Sequence, residues 1–335
     1  MYRRGPEENI SGPWPVGGKS DVRFDFVKCH GSGNDFPLID ARSLTLADTE
    51  WASVARALAD RRGPVGGDGL LLLGQGSENA AFSMRMFNAD GSEAETCLNG
   101  LRCVARMGFE ALGIARAQVG LKTSSAEVVR DAELAPGVYT VRETAGPAGL
   151  DVAAWPLDAG LARIVDAVVP PLGSDRRFTA VAMPNPHLVA FVDAVDEAEL
   201  VAIGERCEAA PAWLPNRANV SFVEVRGPDL FVRTFERGVG LTDSCGSAMA
   251  ASSFAACLTG RLAYETPITV FNAGGLVRAQ VSRDAMVSLS GNATWEWRGS
   301  VEINLAAERA GDLTVIAHAD AEIAAWARVA DAAGG

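Results

Sequence analysis

Alternating apolar and polar residues predict a chain built mainly from strands, with a few helices between them. Val22, Phe24 and Phe26 alternate with their neighbours over residues 22–28, and residues 81–88 repeat this period of two. Further strands are predicted over residues 70–73, 118–141, 220–225, 230–236, 268–271, 276–281, 285–290 and 295–303. Helical spacing predicts helices from Asp48, which we expect to act as a cap, to residue 58, and over residues 98–112, 197–209, 245–257 and 320–332.

Two of the predicted helices begin in the same way. Cys97 precedes an apolar helix that Gly113 ends, and Cys245 opens a helix of small apolar residues that ends near Gly260. A strand and a turn rich in acidic or amide residues come before each cysteine. The repeated order indicates an internal duplication, and it predicts a site where the two halves meet.

The domain boundary is predicted near Glu143, because residues 145–157 are rich in glycine and proline. This predicts an N-terminal domain from residue 22 to 142 and a C-terminal domain from residue 143 to 292. Residues 1–21 are polar and rich in glycine and proline, and they are interpreted as a disordered leader. Residues 305–335 are interpreted as a helical extension.

Composition restricts the classes of partner. The 335 residues are 48% hydrophobic and 21% charged, which is typical of a globular protein. A formal net charge of −12 argues against nucleic acid as a partner. No long uncharged apolar run and no apolar core near the N-terminus are present, so neither a membrane span nor a secretory signal is expected, and the protein is expected to be cytoplasmic.

The sequence contains six cysteines and three histidines, which limits the metal and redox chemistry to be considered. No CxxC pair occurs, which argues against a zinc site and against a dithiol redox centre. A large chain of this kind does not need disulfides for its stability. Four cysteines are interpreted as small core residues: Cys29, Cys103, Cys207 and Cys257.

Cys97 and Cys245 have positions that suit proton transfer. The first N–H groups of a helix are unpaired and lie at the positive end of the helix dipole, so we expect the thiol pKa to fall from about 8.5 toward neutrality. The same N–H groups can hold a substrate carboxylate. One thiolate would remove the α-proton and the other thiol would return a proton on the opposite face. This chemistry requires no metal and no cofactor.

Residues 63–69 form a glycine-rich stretch before the strand predicted over residues 70–73. It fits neither GxGxxG nor the P-loop pattern, and no lysine follows it. It is interpreted as a tight turn, because glycine adopts positive φ without steric cost.

Several blocks, in order, resemble the diaminopimelate epimerase family from about residue 24 to 303. They are Lys28-Cys-His-Gly-Ser-Gly-Asn34-Asp-Phe36, Phe87-Asn88 to Glu93, Cys97-Leu-Asn99-Gly100-Leu-Arg102-Cys103, Met183-Pro-Asn185-Pro-His187, Asn219, Glu236-Arg237-Gly238 and Cys245-Gly246-Ser247. The resemblance implies an α/β (α+β) fold with two pseudo-symmetric domains. Each would be an antiparallel, barrel-like sheet around a central helix, with the active site in the cleft between them. It also implies that residues 293–304 return to the N-terminal domain and that the protein is a homodimer.

The family's activity is a cofactor-independent interconversion of LL- and meso-diaminopimelate, in lysine and peptidoglycan biosynthesis. By resemblance, Cys97 and Cys245 are the catalytic pair, and His187 and Glu236 support the thiols. The matching substrate-binding positions are Asn34, Asn88, Asn99, Gly100, Asn185, Asn219, Glu236, Arg237, Gly246 and Ser247. Arg237 can hold a distal carboxylate with two hydrogen bonds, and Glu236 can pair with a distal ammonium.

Some residues depart from the family pattern. Leu98 and Ala248 stand where the family usually has glycine, Leu241 stands where it usually has glutamate, and Asp243 adds a charge close to the second thiol. A second hypothesis is therefore a paralogous racemase or epimerase acting on another amino acid, such as histidine or a hydroxyproline-like acid. A third is a non-catalytic or thiol-redox protein, against which the retained cysteine pair and the absent CxxC argue.

Overall fold

The computed structural model describes residues 21–333, which form nineteen strands, five α-helices and two short 3₁₀ helices. The leader predicted over residues 1–21 lies outside the described residues, apart from Asp21, which begins the first strand. None of the described helices is long and apolar enough to cross a membrane.

All five helices that the sequence predicts are present within two residues of the expected bounds. They are α1 (Asp48–Ala59), α2 (Leu98–Leu112), α3 (Glu197–Glu208), α4 (Gly246–Leu258) and α5 (Asp320–Ala333). The expected cap of α1 is wrong by one position, because Ala47 is the N-cap and Asp48 lies in the first turn. Ala47 has no side-chain acceptor, so the helix start relies on Glu50, whose carboxylate accepts a hydrogen bond from the Ala47 N–H.

The strands form one mixed sheet by hydrogen-bond connectivity. They are β1 (Asp21–Gly31), β2 (Asn34–Asp40), β3 (Gly69–Gly74), β4 (Phe82–Asn88), β5 (Glu93–Ala94), β6 (Arg116–Gly120), β7 (Ser125–Arg130), β8 (Thr140–Ala145), β9 (Ala167–Val168), β10 (Arg177–Ala182), β11 (Pro186–Phe191), β12 (Asn219–Arg226), β13 (Asp229–Glu236), β14 (Gly240–Thr242), β15 (Pro267–Asn272), β16 (Gly275–Val281), β17 (Val287–Asn292), β18 (Thr294–Asn304) and β19 (Arg309–His318). Most neighbours are antiparallel, but β2–β3, β4–β6, β11–β12 and β13–β15 are parallel. The α+β class is confirmed, and the antiparallel sheets that the family resemblance implies contain these four parallel pairs.

Strand β8 runs through the boundary predicted near Glu143. Its residues pair with β7 on one side and with β17 on the other. Strand β18 pairs with β1 over almost the whole length of both strands, from Asp21 opposite Asn304 to His30 opposite Thr294. The division into domains at residues 142 and 292 stays a prediction.

The extension at residues 305–335 is not wholly helical. Strand β19 pairs with β18 before α5 begins, and most of its side chains are exposed. A strand with exposed residues at nearly every position shows no alternation of apolar and polar residues, so pattern reading missed it.

Helices α2 and α4 lie in two separate apolar clusters. Leu101, Val104 and Phe109 of α2 pack with residues of β1 to β4 and β6 to β8, and Met249 and Phe254 of α4 pack with residues of β10, β11, β13 and β15 to β17. Both helices are therefore buried, as predicted. Leu98, at the start of α2, packs against both clusters, so the two helices approach each other at this end.

Gly108 offers a test of the packing around α2. An added Cβ would lie 2.6 Å from two ring atoms of Phe82, although helix propensity alone favours alanine by about 1 kcal/mol. We expect Gly108→Ala to lower the free energy of unfolding by about 1–3 kcal/mol, because overpacking outweighs propensity. In a double-mutant cycle by urea unfolding, Phe82→Leu should relieve part of this loss. Strictly additive effects would contradict the proposed overlap.

Candidate active site

Each of the two cysteines is the N-cap residue of a buried helix. Cys97 caps α2 with φ −149° and ψ 107°, and Cys245 caps α4 with φ −128° and ψ 111°. The Sγ of Cys97 accepts a hydrogen bond of 3.4 Å from the Gly100 N–H. Cys245 is 7% exposed and Cys97 is partly exposed. The thiols thus occupy equivalent positions at the positive ends of two helices.

The two helix ends are in contact. A Cβ added to Gly246 would lie 2.7 Å from the Cβ of Leu98, so glycine is required where α4 meets α2. The Asn99 Nδ2 lies 3.4 Å from the Asn34 Oδ1 and 3.4 Å from both oxygens of Ser244. Asn99 therefore connects the neighbourhood of Cys97 with the residue that precedes Cys245.

A buried arginine orients this amide. Arg102 Nη2 donates to the Asn99 Oδ1 at 2.7 Å, so the Nδ2 of Asn99 faces Asn34 and Ser244. Arg102 Nη1 donates to Glu143 Oε1 at 2.7 Å, and both side chains are fully buried. Burial raises the pKa of Glu143 to about 7 despite the guanidinium beside it. Sequence reasoning missed Arg102 and Glu143, because neither motif nor spacing shows that they meet.

Asn34 links Cys97 to an acidic residue. The Cys97 thiol donates to the Asn34 Oδ1 over 3.7 Å, and Asn34 Nδ2 donates to Asp68 at 2.5 Å. Asp68 is paired with Arg61 at 2.7 Å. The glycine-rich stretch, interpreted from the sequence as a turn, therefore also brings the Asp68 carboxylate to the site. The sequence feature that could have indicated this role is a single acidic residue within a run of glycines.

Glu236 lies beside the second thiol. Burial raises the pKa of Glu236 to about 7, although its interaction with the Cys245 thiol acts in the opposite direction. Asp68 also raises the pKa of Glu236, although the two carboxylates are distant in sequence. The Cys245 Sγ lies 3.5 Å from the Ser247 Oγ.

The expected lowering of the thiol pKa is wrong for both cysteines. Burial raises the pKa of Cys97 to about 12, and the Gly100 N–H offsets only part of this. For Cys245, burial and the charge of Glu236 raise the pKa well above its usual value, while Ser247 lowers it. Desolvation of the thiolate outweighs the helix end, because loss of water penalises a full charge more than partial charges compensate.

A third group of predicted site residues surrounds His187. Its Nε2 lies 3.0 Å from the Asn185 Oδ1 and 3.4 Å from the Asn219 Nδ2. Burial lowers the pKa of His187 to about 3, with a smaller contribution from Arg237. The imidazole is neutral, and its hydrogen-bond partners within residues 21–333 are amides rather than a thiol.

Arg237 is hydrogen-bonded to the group around His187, whereas Asn88 is hydrogen-bonded within its own turn. The Arg237 N–H donates to Asn219 Oδ1 at 2.8 Å, and its Nη1 donates to the Asn216 carbonyl at 3.0 Å. This joins Arg237, and its neighbour Glu236, to the His187 group. Asn88 Nδ2 donates to the Ser92 Oγ within its own turn. Asn88 pairs with Gly69 in the β3–β4 register, so it lies beside the loop of Asp68, and its side-chain partner among residues 21–333 is Ser92 rather than a thiol.

The other four cysteines are buried and free, as expected for core residues. Within residues 21–333, no three His, Cys, Asp or Glu side chains are grouped so that they could hold a metal ion.

The fold is that of known racemases and epimerases. A protein described as a predicted epimerase from Pseudomonas aeruginosa matches with a TM-score of 0.59 and 18% identity, over 82% of this chain and 98% of the other. A hydroxyproline epimerase from Agrobacterium vitis matches with a TM-score of 0.58 and 12% identity, over 84% and 93%. At such low identity these similarities establish the fold alone.

Sequence similarity is more specific. The family model for diaminopimelate epimerase matches residues 26–133 and 179–296. Diaminopimelate epimerase from Clostridium acetobutylicum is 39% identical over 84% of this chain and 87% of the relative. The enzyme from Ligilactobacillus salivarius is 38% identical over 81% of this chain and 88% of the relative. The enzyme from Enterococcus faecalis is 39% identical over 80% of this chain and 86% of the relative. The chain belongs to the diaminopimelate epimerase family, and it is an isomerase.

The raised pKa of Glu236 predicts a pH-dependent stability difference. Below its ordinary value of 4.5 the carboxyl is protonated whether the chain is folded or not, and as pH rises through about 7 a buried charge destabilises the folded state. We expect Glu236→Gln to be more stable than the parent by about 1–3 kcal/mol near pH 8.5, and equal to it near pH 4.5. Urea unfolding at both pH values measures this.

A suitable control is Glu127→Gln, which changes an exposed carboxylate paired with Arg116. Its effect should be small at both pH values, because exposed ion pairs contribute little. Equal stability of the parent and Glu236→Gln at every pH would contradict the buried carboxyl.

Proposed function

We propose that this protein interconverts LL- and meso-diaminopimelate by a two-base mechanism in which Cys97 and Cys245 exchange protons with the α-carbon. The observation that carries the proposal is that each thiol caps a buried helix and that the two helix ends touch at Leu98 and Gly246. An α-carbon held between them would have one sulfur on each face.

The α-carboxylate of the substrate would bind the unpaired N–H groups at the two helix ends. Gly100 and Gly246 lie at these two helix ends, and each packs closely against a leucine, since a Cβ at either position would lie 2.7 Å from a leucine carbon. As the α-proton leaves, negative charge grows on the carboxylate. The helix ends are fixed dipoles already directed at that charge, so they stabilise the carbanion.

Proton transfer then has a defined balance. One thiolate takes the α-proton and becomes a thiol, and the electron pair of the C–H bond stays on the α-carbon. The other thiol gives its proton to the opposite face and becomes a thiolate. The reverse reaction exchanges the two roles, so the same pair serves both stereoisomers.

Glu236 is the group best suited to generate the thiolate of Cys245. Its carboxyl interacts with that thiol and has a pKa of about 7, so it can accept the proton near neutral pH. The α-ammonium of a bound substrate would act against burial and lower the thiol pKa, because an adjacent cation favours the charged form. His187, neutral and bound to Asn185 and Asn219, would keep those amides oriented.

The charges around the thiols suit a substrate with a second zwitterionic end. Arg237 can hold a distal carboxylate, and Glu236 or Asp68 can pair with an ammonium group. Asn34, Asn185 and Asn219 supply amides that both donate and accept hydrogen bonds. Asn88 would reach the substrate only if it exchanged its contact with Ser92. We also propose that the protein acts in the cytoplasm as a homodimer.

The first experiment is proton NMR of LL-diaminopimelate in heavy water with the reduced protein. We expect the α-proton signal to disappear and the meso isomer to form, because each turnover places a solvent-derived proton on the α-carbon. Absence of exchange in folded, reduced protein would refute diaminopimelate as the substrate. The same assay with histidine and with hydroxyproline would then test the paralogue hypothesis.

Substitution of either thiol tests the two-base assignment. We expect Cys97→Ala and Cys245→Ala each to lower epimerisation by a factor of 10³ or more, on the order of the loss when a general base is removed. Cys257→Ala is the matched control, because Cys257 is a buried thiol of the same helix α4. Circular dichroism should show folded protein in all three. Parent-level epimerisation by either active-site variant would rule out the pair.

A further inference from the structure

Helix α5 lies beyond the residues that match the family model, which end at residue 296. It nevertheless packs against elements that carry the proposed site. One face of α5 contributes Ala325, Trp326 and Val329 to an apolar cluster with Val138 and Leu276. The family match therefore does not cover the contacts that this helix makes.

One contact joins α5 to the helix of the first thiol. Arg106 of α2 makes two hydrogen bonds to Glu322, of 2.5 and 2.8 Å. Its guanidinium also lies 4.3 Å from the ring centroids of Tyr139 and Trp295. Arg106 is 6% exposed and Glu322 is partly exposed, so the guanidinium is shielded from solvent and its two hydrogen bonds hold α5 against α2.

A second contact joins α5 to the hairpin tip (Asn272–Gly275), which connects β15 to β16. The Trp326 indole lies directly on Gly275, where an added Cβ would overlap its Cζ2. The same indole lies 5.9 Å, between ring centroids, from His30. Trp326 is 5% exposed, so the tip cannot move toward α5 while the indole is in place.

The hairpin tip contacts segments that lead to both halves of the site. The Gly274 N–H donates to the Asp243 carbonyl at 3.0 Å, two residues before Cys245. An added Cβ on Gly274 would overlap the carbonyl oxygen of Ser32, two residues before Asn34. The tip is therefore held between the segment that precedes Cys245 and the loop that leads to Asn34, the hydrogen-bond partner of Cys97.

We propose that Trp326 is a positioning residue for the two-thiol site: by supporting the hairpin tip, it fixes the spacing between the Asn34 loop and the Cys245 segment. It touches neither thiol, so it acts through the tip. The catalytic part of this inference rests on the proposed function. Two thiols on opposite faces of one carbon tolerate little misplacement, since an error near 1 Å can lower a rate by about 10²-fold.

The experiment compares Trp326→Ala with Val329→Ala and Trp326→Phe in the full chain. Val329 belongs to the same cluster, so its truncation is the matched control for lost packing, and phenylalanine retains a ring over Gly275. In heavy water we expect Trp326→Ala to lower kcat at least about tenfold. We also expect its ratio of α-proton exchange to inversion to rise. With the second thiol displaced, the first thiol exchanges its captured proton for solvent deuterium and returns the deuteron to the same face.

Both control variants should keep the parent ratio, and their kcat should stay within about twofold of the parent. A purely structural role of Trp326 would lower Tm without moving the exchange-to-inversion ratio. A parent ratio and parent kcat in Trp326→Ala would therefore overturn the proposal. If Trp326→Ala does not fold, Trp326→Leu decides by the same criteria.

A readout without substrate separates this proposal from the proposed function. Iodoacetamide labelling, followed by mass spectrometry of the Cys97 and Cys245 peptides, reports how well the buried thiols are enclosed. We expect slow labelling of the parent and of Val329→Ala, and labelling at least about threefold faster in Trp326→Ala, because reaction requires an exposed thiolate. If the parent proves inactive toward every amino acid tested, the proposed function fails. Unchanged labelling of Trp326→Ala would then overturn the positioning role independently.

Discussion

The contact between the starts of α2 and α4 is the constraint on which the site depends. Leu98 fills the space over Gly246, and Asn99 reaches across to Ser244. Neither helix end can retreat without opening a void in both apolar clusters, because Leu98 packs against both. The position of the thiols thus follows from core packing, and the polar network of Arg102 and Glu143 specifies the orientation of the amide between them.

Burial also sets the charge state of the site. It raises the pKa of both thiols and of Glu236, and it lowers that of His187. In each case desolvation favours the neutral form. The uncharged forms of the two thiols and of the His187 imidazole are therefore favoured, while the ion pairs Arg102–Glu143 and Arg61–Asp68 place charged groups close by.

Sequence patterns predicted the parts of the molecule that local rules govern. Helices α2 and α4, their cysteine N-caps and the strands before them follow from periodicity and from terminal glycines. The family resemblance added Asn34, His187 and Glu236, which no local rule distinguishes from turn or surface residues. Arg102 and Glu143 meet across 41 positions, and Asp68 reaches Asn34 across 34, so only the tertiary structure shows these pairs. The thiol pKa was predicted in the wrong direction, because the sequence shows a helix end but not how completely water is excluded from it.

The pairing of β1 with β18 has a consequence for synthesis of the chain. Asp21 lies opposite Asn304, and the amide of Asn304 donates to the Asp21 carboxylate, 283 residues away. At roughly 5–20 residues per second, β1 therefore waits on the order of 15–60 seconds on the ribosome before its neighbour exists. During that time one edge of the first strand, which carries the apolar side chains of Phe24 and Phe26, is open to wrong partners. Completion of the first strand's pairing therefore depends on synthesis of residues 294–304, which are distant in sequence.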